Sequence, residues 1–174
     1  MTNKSPFRYL YISLVILMLD QASKYTVWLF MPHSSISVIG DLFRLTHIQN
    51  YGALFGFSPG SEIFNKIFFT SIAVLVIGAL AVMLTKYAQS RVEKICFSML
   101  IGGALGNALD RVTIGSVTDF LDFDFPDWVP FIDDRWPIFN IADSAMVCSV
   151  TILLVYMIFF EHRYRQEDTT NENK

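Results

Sequence analysis

Cysteine, histidine and charged residues are scarce in this 174-residue sequence, and each scarcity excludes a class of protein. Two cysteines, Cys96 and Cys148, cannot form the disulfide framework of a small secreted domain. The three scattered histidines have no metal-ligand spacing, so we expect neither a metal site nor another cofactor. Charged residues make up 17% of the chain, the formal net charge is -3, and there is no basic tract. A nucleic-acid partner is therefore not expected.

Charges are absent from several long stretches, which indicates a membrane protein. Residues 67–85, 95–109 and 144–160 carry no charge, and hydrophobic residues make up 53% of the chain. A helix of about 20 such residues crosses about 30 Å of hydrocarbon. Residues 9–30 carry no charge apart from Asp20 and Lys24, residues 9–19 are apolar, and no signal-peptide cleavage site follows the segment. We predict an all-α integral membrane protein with four transmembrane helices, at about 9–30, 67–85, 93–110 and 141–160.

Four spans put both ends of the chain on one side of the membrane. The positive-inside rule makes this side cytoplasmic, because seven of the basic residues that flank the spans fall there. They are Lys4, Arg8, Lys86, Arg91, Lys94, Arg163 and Arg165. We predict a single domain over residues 1–165 and a disordered cytoplasmic tail at 166–174.

Two segments, 31–66 and 111–140, then face outward. The first has turn residues and the short alternating runs SISVIG and LFRLTHI, which predict a small β-containing element on the outer face. The second is rich in acidic and aromatic residues.

Cysteine and glycine within the spans are expected to serve helix packing. Cys96 and Cys148 lie in apolar blocks at depths that differ by more than about 10 Å, so no disulfide between them is expected. Gly102, Gly103 and Gly106 leave a smooth face on the third span, as expected where helices pack closely in lipid.

Half of the acidic residues lie between Asp110 and Asp143, at the outer ends of the third and fourth spans. Ionisable groups within a membrane are candidates for function. Structural alternatives are an Asp20–Lys24 pair on one helix face, a helix-cap or first-turn role for Asp143, and an interface role for Arg111. A solvated acidic loop is the simplest interpretation of Asp122, Asp124, Asp127, Asp133 and Asp134.

Five motifs occur in order: DQASK at 20–24, NYGALFGF at 50–57, GNALDR at 106–111, GSVTDF at 115–120 and FNIAD at 139–143. Together they resemble bacterial lipoprotein signal peptidase, or signal peptidase II, over about residues 8–160. The resemblance implies an aspartyl endopeptidase of the inner membrane with Asp119 and Asp143 as its catalytic pair. It implies supporting or substrate-binding roles for Asp20, Lys24, Asn50, Gly106, Asn107, Asp110, Arg111 and Asn140.

The resemblance also implies a substrate and a location. The substrate is a prolipoprotein that carries a diacylglyceryl group, cut just before the lipid-modified cysteine near the outer leaflet. We expect the smooth glycine face of the third span to leave room for the acyl chains, and we expect a monomer. Two features depart from the family pattern: Leu54 stands where a smaller residue is expected, and the insert at 121–136 is longer and more acidic than usual.

Two other functions would also use polar residues in spans. A proton-coupled transporter predicts acids spread through the depth of the membrane, whereas all but Asp20 gather at one side. A structural protein predicts tolerance of Asp→Asn changes at Asp119 and Asp143, which an aspartyl protease does not tolerate.

Overall fold

The computed structural model describes residues 6–32, 34–52, 59–124 and 135–160, which form long helices and a small sheet. The predicted tail at 166–174 lies outside these residues. After a short 3-10 turn at Pro6–Tyr9, the elements in chain order are α1 (Leu10–Phe30), β1 (Ser35–Ile39), β2 (Phe43–Asn50), α2 (Glu62–Val82), α3 (Arg91–Thr113), β3 (Val117–Phe123) and α4 (Ile141–Phe159). A short π-helix, Met83–Tyr87, extends α2.

Within the described residues, three helices are long and apolar enough to cross a membrane: Glu62–Tyr87, Arg91–Thr113 and Ile141–Phe159. The helix α1 has a similar length but is not one of the three, and Asp20 and Lys24 interrupt its apolar run. Its role as a fourth span remains a prediction. Large apolar side chains cover the outer helix surfaces, as for Leu75 of α2, which is 73% exposed. Such a surface suits lipid rather than water.

Local capping signals set several helix ends. Ser90 begins α3 with a capping box: its hydroxyl accepts from the N–H of Glu93, whose carboxylate accepts from the N–H of Ser90. Ser61 caps α2 by accepting from the N–H of Phe64. After α3, Gly115 has a φ of 86°, which glycine adopts without a steric penalty. The chain therefore turns directly from α3 into β3.

The helix α3 is central and packs against α1, α2 and α4. The glycines of α3 allow α1 and α4 to approach its backbone closely. A Cβ at Gly102 would lie 2.7 Å from the carbonyl oxygen of Ser13 on α1, and one at Gly103 would lie 2.6 Å from that of Ala142 on α4. The predicted close packing is confirmed. The expected room for acyl chains at this face is wrong, because α1 and α4 occupy it.

The two cysteines are free, in agreement with the predicted absence of a disulfide. Cys96 is buried in α3, whereas Cys148 is exposed on α4. The packing role predicted for Cys148 is therefore wrong. In a membrane helix, an apolar run looks the same whether a side chain faces another helix or lipid.

The sheet is antiparallel with the strand order β1-β2-β3. The strands predicted in SISVIG and LFRLTHI are confirmed as β1 and β2, whereas β3 is not among the predicted strands. A register shift between Leu45 and Ile48 of β2 divides its pairing with β3 into two regions. After β3, the chain returns so that Phe139 pairs with Leu121. This pairing brings the start of α4 back to the sheet.

Candidate active site

Asp119 lies in the middle of β3, a strand whose residues are mostly buried. It is opposite Ile48 of β2 and is only 2% exposed. Two side-chain amides hold its carboxylate: Asn50 donates to Oδ2 at 3.0 Å, and Asn140 donates to Oδ1 at 2.6 Å. The structure thus brings two of the predicted supporting residues into direct contact with Asp119.

Asp143 lies in the first turn of α4, which begins with a second capping box. The side-chain oxygen of Asn140 accepts from the N–H of Asp143, and the N–H of Asn140 donates to Asp143 Oδ2 at 3.2 Å. The other oxygen, Oδ1, accepts from the side chain of Asn107 at 2.7 Å. A carboxylate at this position is stabilised by the helix dipole. The first-turn alternative for Asp143 is confirmed, and the contact with Asn107 adds a link to α3.

Asn140 and Asn107 connect the two acids. Asn140 is fully buried, and its side-chain nitrogen lies 3.1 Å from Asn107 Oδ1 as well as contacting Asp119. The same Asn107 oxygen accepts from Lys24 Nζ at 2.9 Å. Each amide thus has partners on both its oxygen and its nitrogen. In a buried network of this kind the orientation of every group is fixed by its partners.

Lys24 forms a buried ion triad with Asp20 and Asp110. Its Nζ lies 2.8 Å from Asp20 Oδ2 and 3.1 Å from Asp110 Oδ2. Charges buried in this way are costly unless hydrogen bonds also satisfy them. Here the N–H of Ala142 donates to Asp20 and the N–H of Thr118 donates to Asp110, both at 2.9 Å. The predicted Asp20–Lys24 pair is confirmed, and the triad also ties α1 and α3 to the start of α4 and to β3.

Gly106 and Arg111 lie on α3 on either side of Asn107 and Asp110 in the chain. A Cβ at Gly106 would lie 2.5 Å from an oxygen of Asp20, so the triad requires a residue without a side chain there. Arg111 donates to the backbone carbonyl of Gly52 at 3.3 Å, and its guanidinium carbon lies 5.3 Å from the ring centroid of Phe69. Arg111 therefore connects α3 to the loop after β2 and, through a cation–π contact, to α2.

The pKa of Asp119 is raised from 3.8 to about 6. Burial of the carboxylate is the largest cause, and the neighbouring charge of Asp143 adds to it. Hydrogen bonds from Asn50 and Asn140 and the charge of Lys24 lower the pKa in part. The Asp119 carboxyl therefore retains its proton at a pH at which an isolated aspartate is ionised.

Two further polar residues, one in this network and one on the same strand as Asp119, are not among the predicted site residues. Gln21 donates to Asp20 at 3.1 Å and to Asp110 at 2.9 Å, so it completes the ion triad. Asp122 is on β3 and is 4% exposed, so its interpretation as part of a solvated loop is wrong. The segment VTDFLDF does not alternate strictly between apolar and polar residues, and it forms a strand because it pairs with β2.

Some predicted features lie outside the described residues. They are Leu54, the acids Asp127, Asp133 and Asp134, and the part of the acidic insert at 125–134. Within the ranges that are described, no group of three His, Cys, Asp or Glu side chains is arranged to hold a metal ion.

Fold and site together define a class of protein. Apolar helices and a small sheet enclose two carboxylates that belong to one hydrogen-bonded network, and one of them has a raised pKa. Carboxylates of this kind are suited to general acid–base chemistry. The chain is thus a membrane protein with a candidate acid–base site.

Comparison with known proteins identifies the family. The family Signal peptidase (SPase) II matches residues 12–159. The lipoprotein signal peptidase of Alteromonas mediterranea is 38% identical over 174 residues, which cover 99% of this chain and 91% of that protein. The lipoprotein signal peptidase of Tolumonas auensis is 34% identical over 149 residues, which cover 85% and 88%. The chain belongs to the signal peptidase II family, as the motifs predict, and is a hydrolase of the protease class.

Solved structures agree with this assignment. A bacterial membrane enzyme structure determined by the in meso method at 2.3 Å resolution has a TM-score of 0.75 and 31% identity. The match covers 94% of this chain and 90% of that chain. A second bacterial membrane enzyme structure, at 1.9 Å resolution, has a TM-score of 0.74 and 32% identity, with coverage of 88% and 94%.

Proposed function

We propose that this chain is an aspartic endopeptidase in which Asp119 and Asp143 together activate water. The observation that carries the proposal is that Asn140 binds both carboxylates, one through its side chain and the other through its backbone N–H. The charge of Asp143 is also one cause of the raised pKa of Asp119, as expected for two acids that share a site. Membership of a signal peptidase family supports hydrolysis of a peptide bond.

The chemistry needs one proton on the pair. The ionised carboxylate takes a proton from water as the water oxygen attacks the scissile carbonyl carbon, and the protonated carboxyl donates its proton to the carbonyl oxygen. The resulting tetrahedral intermediate collapses when the first carboxyl gives its proton to the leaving amine and the second recovers a proton from the intermediate. Asp119 and Asp143 titrate as a unit, so the proton belongs to the pair rather than to either residue.

The remaining polar residues support this pair. Asn50, Asn107 and Asn140 orient the carboxylates by donating to them. The ion triad of Lys24, described above, anchors Asn107. Arg111 has five N–H donors, so its contacts with backbone carbonyls leave donors for the backbone of an extended substrate.

The proposed substrate is a diacylglyceryl-modified prolipoprotein, cut before its lipid-modified cysteine. Several relatives carry the name lipoprotein signal peptidase, which supports this choice. Because α1 and α4 occupy the glycine face of α3, we assign the acyl chains to the apolar helix surfaces that face the bilayer. We further propose a monomer in the bacterial inner membrane with four spans, cytoplasmic termini, and the sheet and active site near the outer leaflet.

A cleavage assay tests the proposal. The purified protein in detergent micelles is incubated with a diacylglyceryl-modified prolipoprotein, and the products are analysed by mass spectrometry. We expect a mass loss equal to the signal peptide and a new N-terminus at the lipid-modified cysteine. The double variant Asp119→Asn/Asp143→Asn is the control and should leave the substrate intact. An uncut substrate with the wild-type enzyme, or equal cleavage by the double variant, would show that the proposal is wrong.

A further inference from the structure

Arg135 contacts β3 and the turn between β1 and β2 at the same time. Its Nε lies 2.7 Å from Asp122 Oδ1, and its Nη1 lies 2.8 Å from Asp124 Oδ2. Nη1 also donates to the backbone carbonyl of Asp41 at 2.9 Å. We call these four residues the Arg135 clamp. Asp124 and Arg135 are the residues on either side of the segment 125–134.

Asp122 is the buried member of the Arg135 clamp. Its second carboxylate oxygen accepts from the hydroxyl of Thr46 at 2.6 Å, and Thr46 lies within the register shift of β2. A buried carboxylate that lost Arg135 would keep its charge without its cationic partner, which is strongly destabilising. The hydrogen bond with Asp122 in turn raises the pKa of Arg135, so the positive charge is permanent. The pair therefore ties Arg135 firmly to β3.

The Arg135 clamp lies at the far end of a hairpin whose two arms lead to the candidate catalytic acids. One arm is β3, which carries Asp119. The other arm returns through Phe139, whose N–H donates to the carbonyl of Leu121 at 3.1 Å and whose carbonyl accepts from the N–H of Leu121 at 2.8 Å. The next residue is Asn140, which binds both acids. The position of Asn140 relative to Asp119 therefore depends on the register of this hairpin.

We propose that Arg135 is a positioning residue, and that the Arg135 clamp holds the hairpin in the register that keeps Asn140 bonded to Asp119 and Asp143. This inference rests on the proposed function of the two acids. Arg135 acts through the hairpin. Arginine suits the role because its planar guanidinium binds two carboxylates and a carbonyl at once, whereas a lysine ammonium is a single point charge.

Kinetics of matched variants test the inference. The variants are Arg135→Ala, Arg135→Lys and Asp122→Asn, and the control is Arg44→Ala, since Arg44 makes an exposed ion pair with the Asp41 side chain on the same turn. We expect Arg135→Ala to lower kcat at least about 10-fold with little change in KM, because a misplacement of about 1 Å can cost about 100-fold. Arg135→Lys should recover part of the loss. Arg44→Ala should stay within about 2-fold of wild type, as for most exposed ion pairs.

The pH profile separates positioning from a loss of folded protein. The hydrogen bond from Asn140 favours the ionised form of Asp119, so loosening it raises the pKa of Asp119. The alkaline limb of kcat/KM should therefore move to higher pH in Arg135→Ala. The other charged groups near Asp119, which are Asp143, Lys24 and Arg111, are unchanged in this variant. A purely structural effect would lower the amount of active enzyme and leave the limb in place.

Hydrogen exchange tests the Arg135 clamp without reference to activity. In Arg135→Ala and in Asp122→Asn, the backbone N–H groups of Leu121 and Phe139 should exchange faster than in wild type, while those of α3 remain protected. If the wild-type enzyme fails to cut the prolipoprotein, the proposed function fails, and the exchange comparison still decides on the clamp. The inference is overturned if exchange at Phe139 is unchanged, or if folded Arg135→Ala and Asp122→Asn keep the wild-type kcat and alkaline limb.

Discussion

The side chain of Asn107 donates a hydrogen bond to Asp143, with 2.7 Å between Nδ2 and Oδ1. The oxygen of the same amide accepts from Lys24 at 2.9 Å. Asn107 therefore couples the buried ion triad to the acid at the start of α4. Since these groups are on packed helices, the position of the Asp143 carboxylate depends on helix packing, which holds a site more rigidly than a loop does.

Asn107→Ala should lower kcat by about 100-fold, because Asp143 loses a donor and Lys24 loses an acceptor in the same step. The measurement is steady-state cleavage of a lipid-modified prolipoprotein. Leu109→Ala is a suitable control, since Leu109 is exposed on the same helix. A kcat for Asn107→Ala above half of the wild-type value would contradict the coupling described above.

Asp119→Asn and Asp143→Asn should each abolish cleavage and leave the protein folded, because an amide keeps the shape of the carboxyl but supplies no proton. We expect a loss of at least about 1,000-fold for each variant, the combined scale of acid–base and positioning effects. Glu62→Gln, at an exposed carboxylate in the first turn of α2, should remain active. Retention of a tenth of the wild-type turnover by either active-site variant would refute the assignment of the catalytic pair.

Asn50→Ala should shift the alkaline limb of kcat/KM to higher pH. In the wild-type protein the pKa of Asp119 is about 6, and the hydrogen bond from Asn50 lowers it by favouring the ionised form. Without this donor the pair keeps its proton to higher pH, so activity is lost later as the pH rises. The measurement is kcat/KM across the pH range for both proteins. A shift of the limb to lower pH would mean that Asn50 favours the protonated form.

Gly106→Ala should destabilise the protein and reduce activity. The added methyl group would lie 2.5 Å from Asp20 Oδ2 and 3.4 Å from the Ala142 side chain, so the ion triad or α4 must move. Overpacking of this kind costs about 1–3 kcal/mol. Gly78→Ala on α2 is the matched control, because its methyl group has no neighbour within 4 Å. Thermal unfolding should show a lower Tm for Gly106→Ala alone, and equal Tm values would rule out the tight contact.

Removal of the diacylglyceryl group from the substrate should slow cleavage strongly. Each buried CH₂ of an acyl chain contributes about 0.8 kcal/mol of binding free energy, so two chains supply a large share of the affinity. The test compares kcat/KM for the lipid-modified and the unmodified prolipoprotein in the same detergent. Equal values would show that the acyl chains are not recognised.

Much of this protein is readable from local patterns. The uncharged run at 67–85 is long enough to span a bilayer, and it forms most of α2, because helix formation in lipid follows from apolar length. The capping residues Ser90 and Asn140 stand directly before α3 and α4. The motifs containing Asp119 and Asp143 also indicate the family without any structure.

Other features depend on contacts between segments that are far apart in the chain. The strand β3 carries acids that suggest a loop, and it is a strand because β2 and Phe139 provide backbone partners on its two sides. Gln21 belongs to the site only because α1 packs beside α3, which puts its amide 2.9 Å from Asp110.

The sequence by itself determined the helices, two strands of the sheet and the family, and it singled out the two acids proposed as the catalytic pair, since these follow from hydrophobic length, alternation and motif residues. Only the tertiary structure decided which surfaces of the helices meet. In the folded protein, α1 and α4 pack on the glycine face of α3, and Cys148 is exposed. Arg135 forms an ion pair with Asp122. The physical reason is that apolar helix faces have the same composition whether they meet lipid or another helix, whereas hydrogen bonds between buried polar groups form only after packing has brought them within about 3 Å.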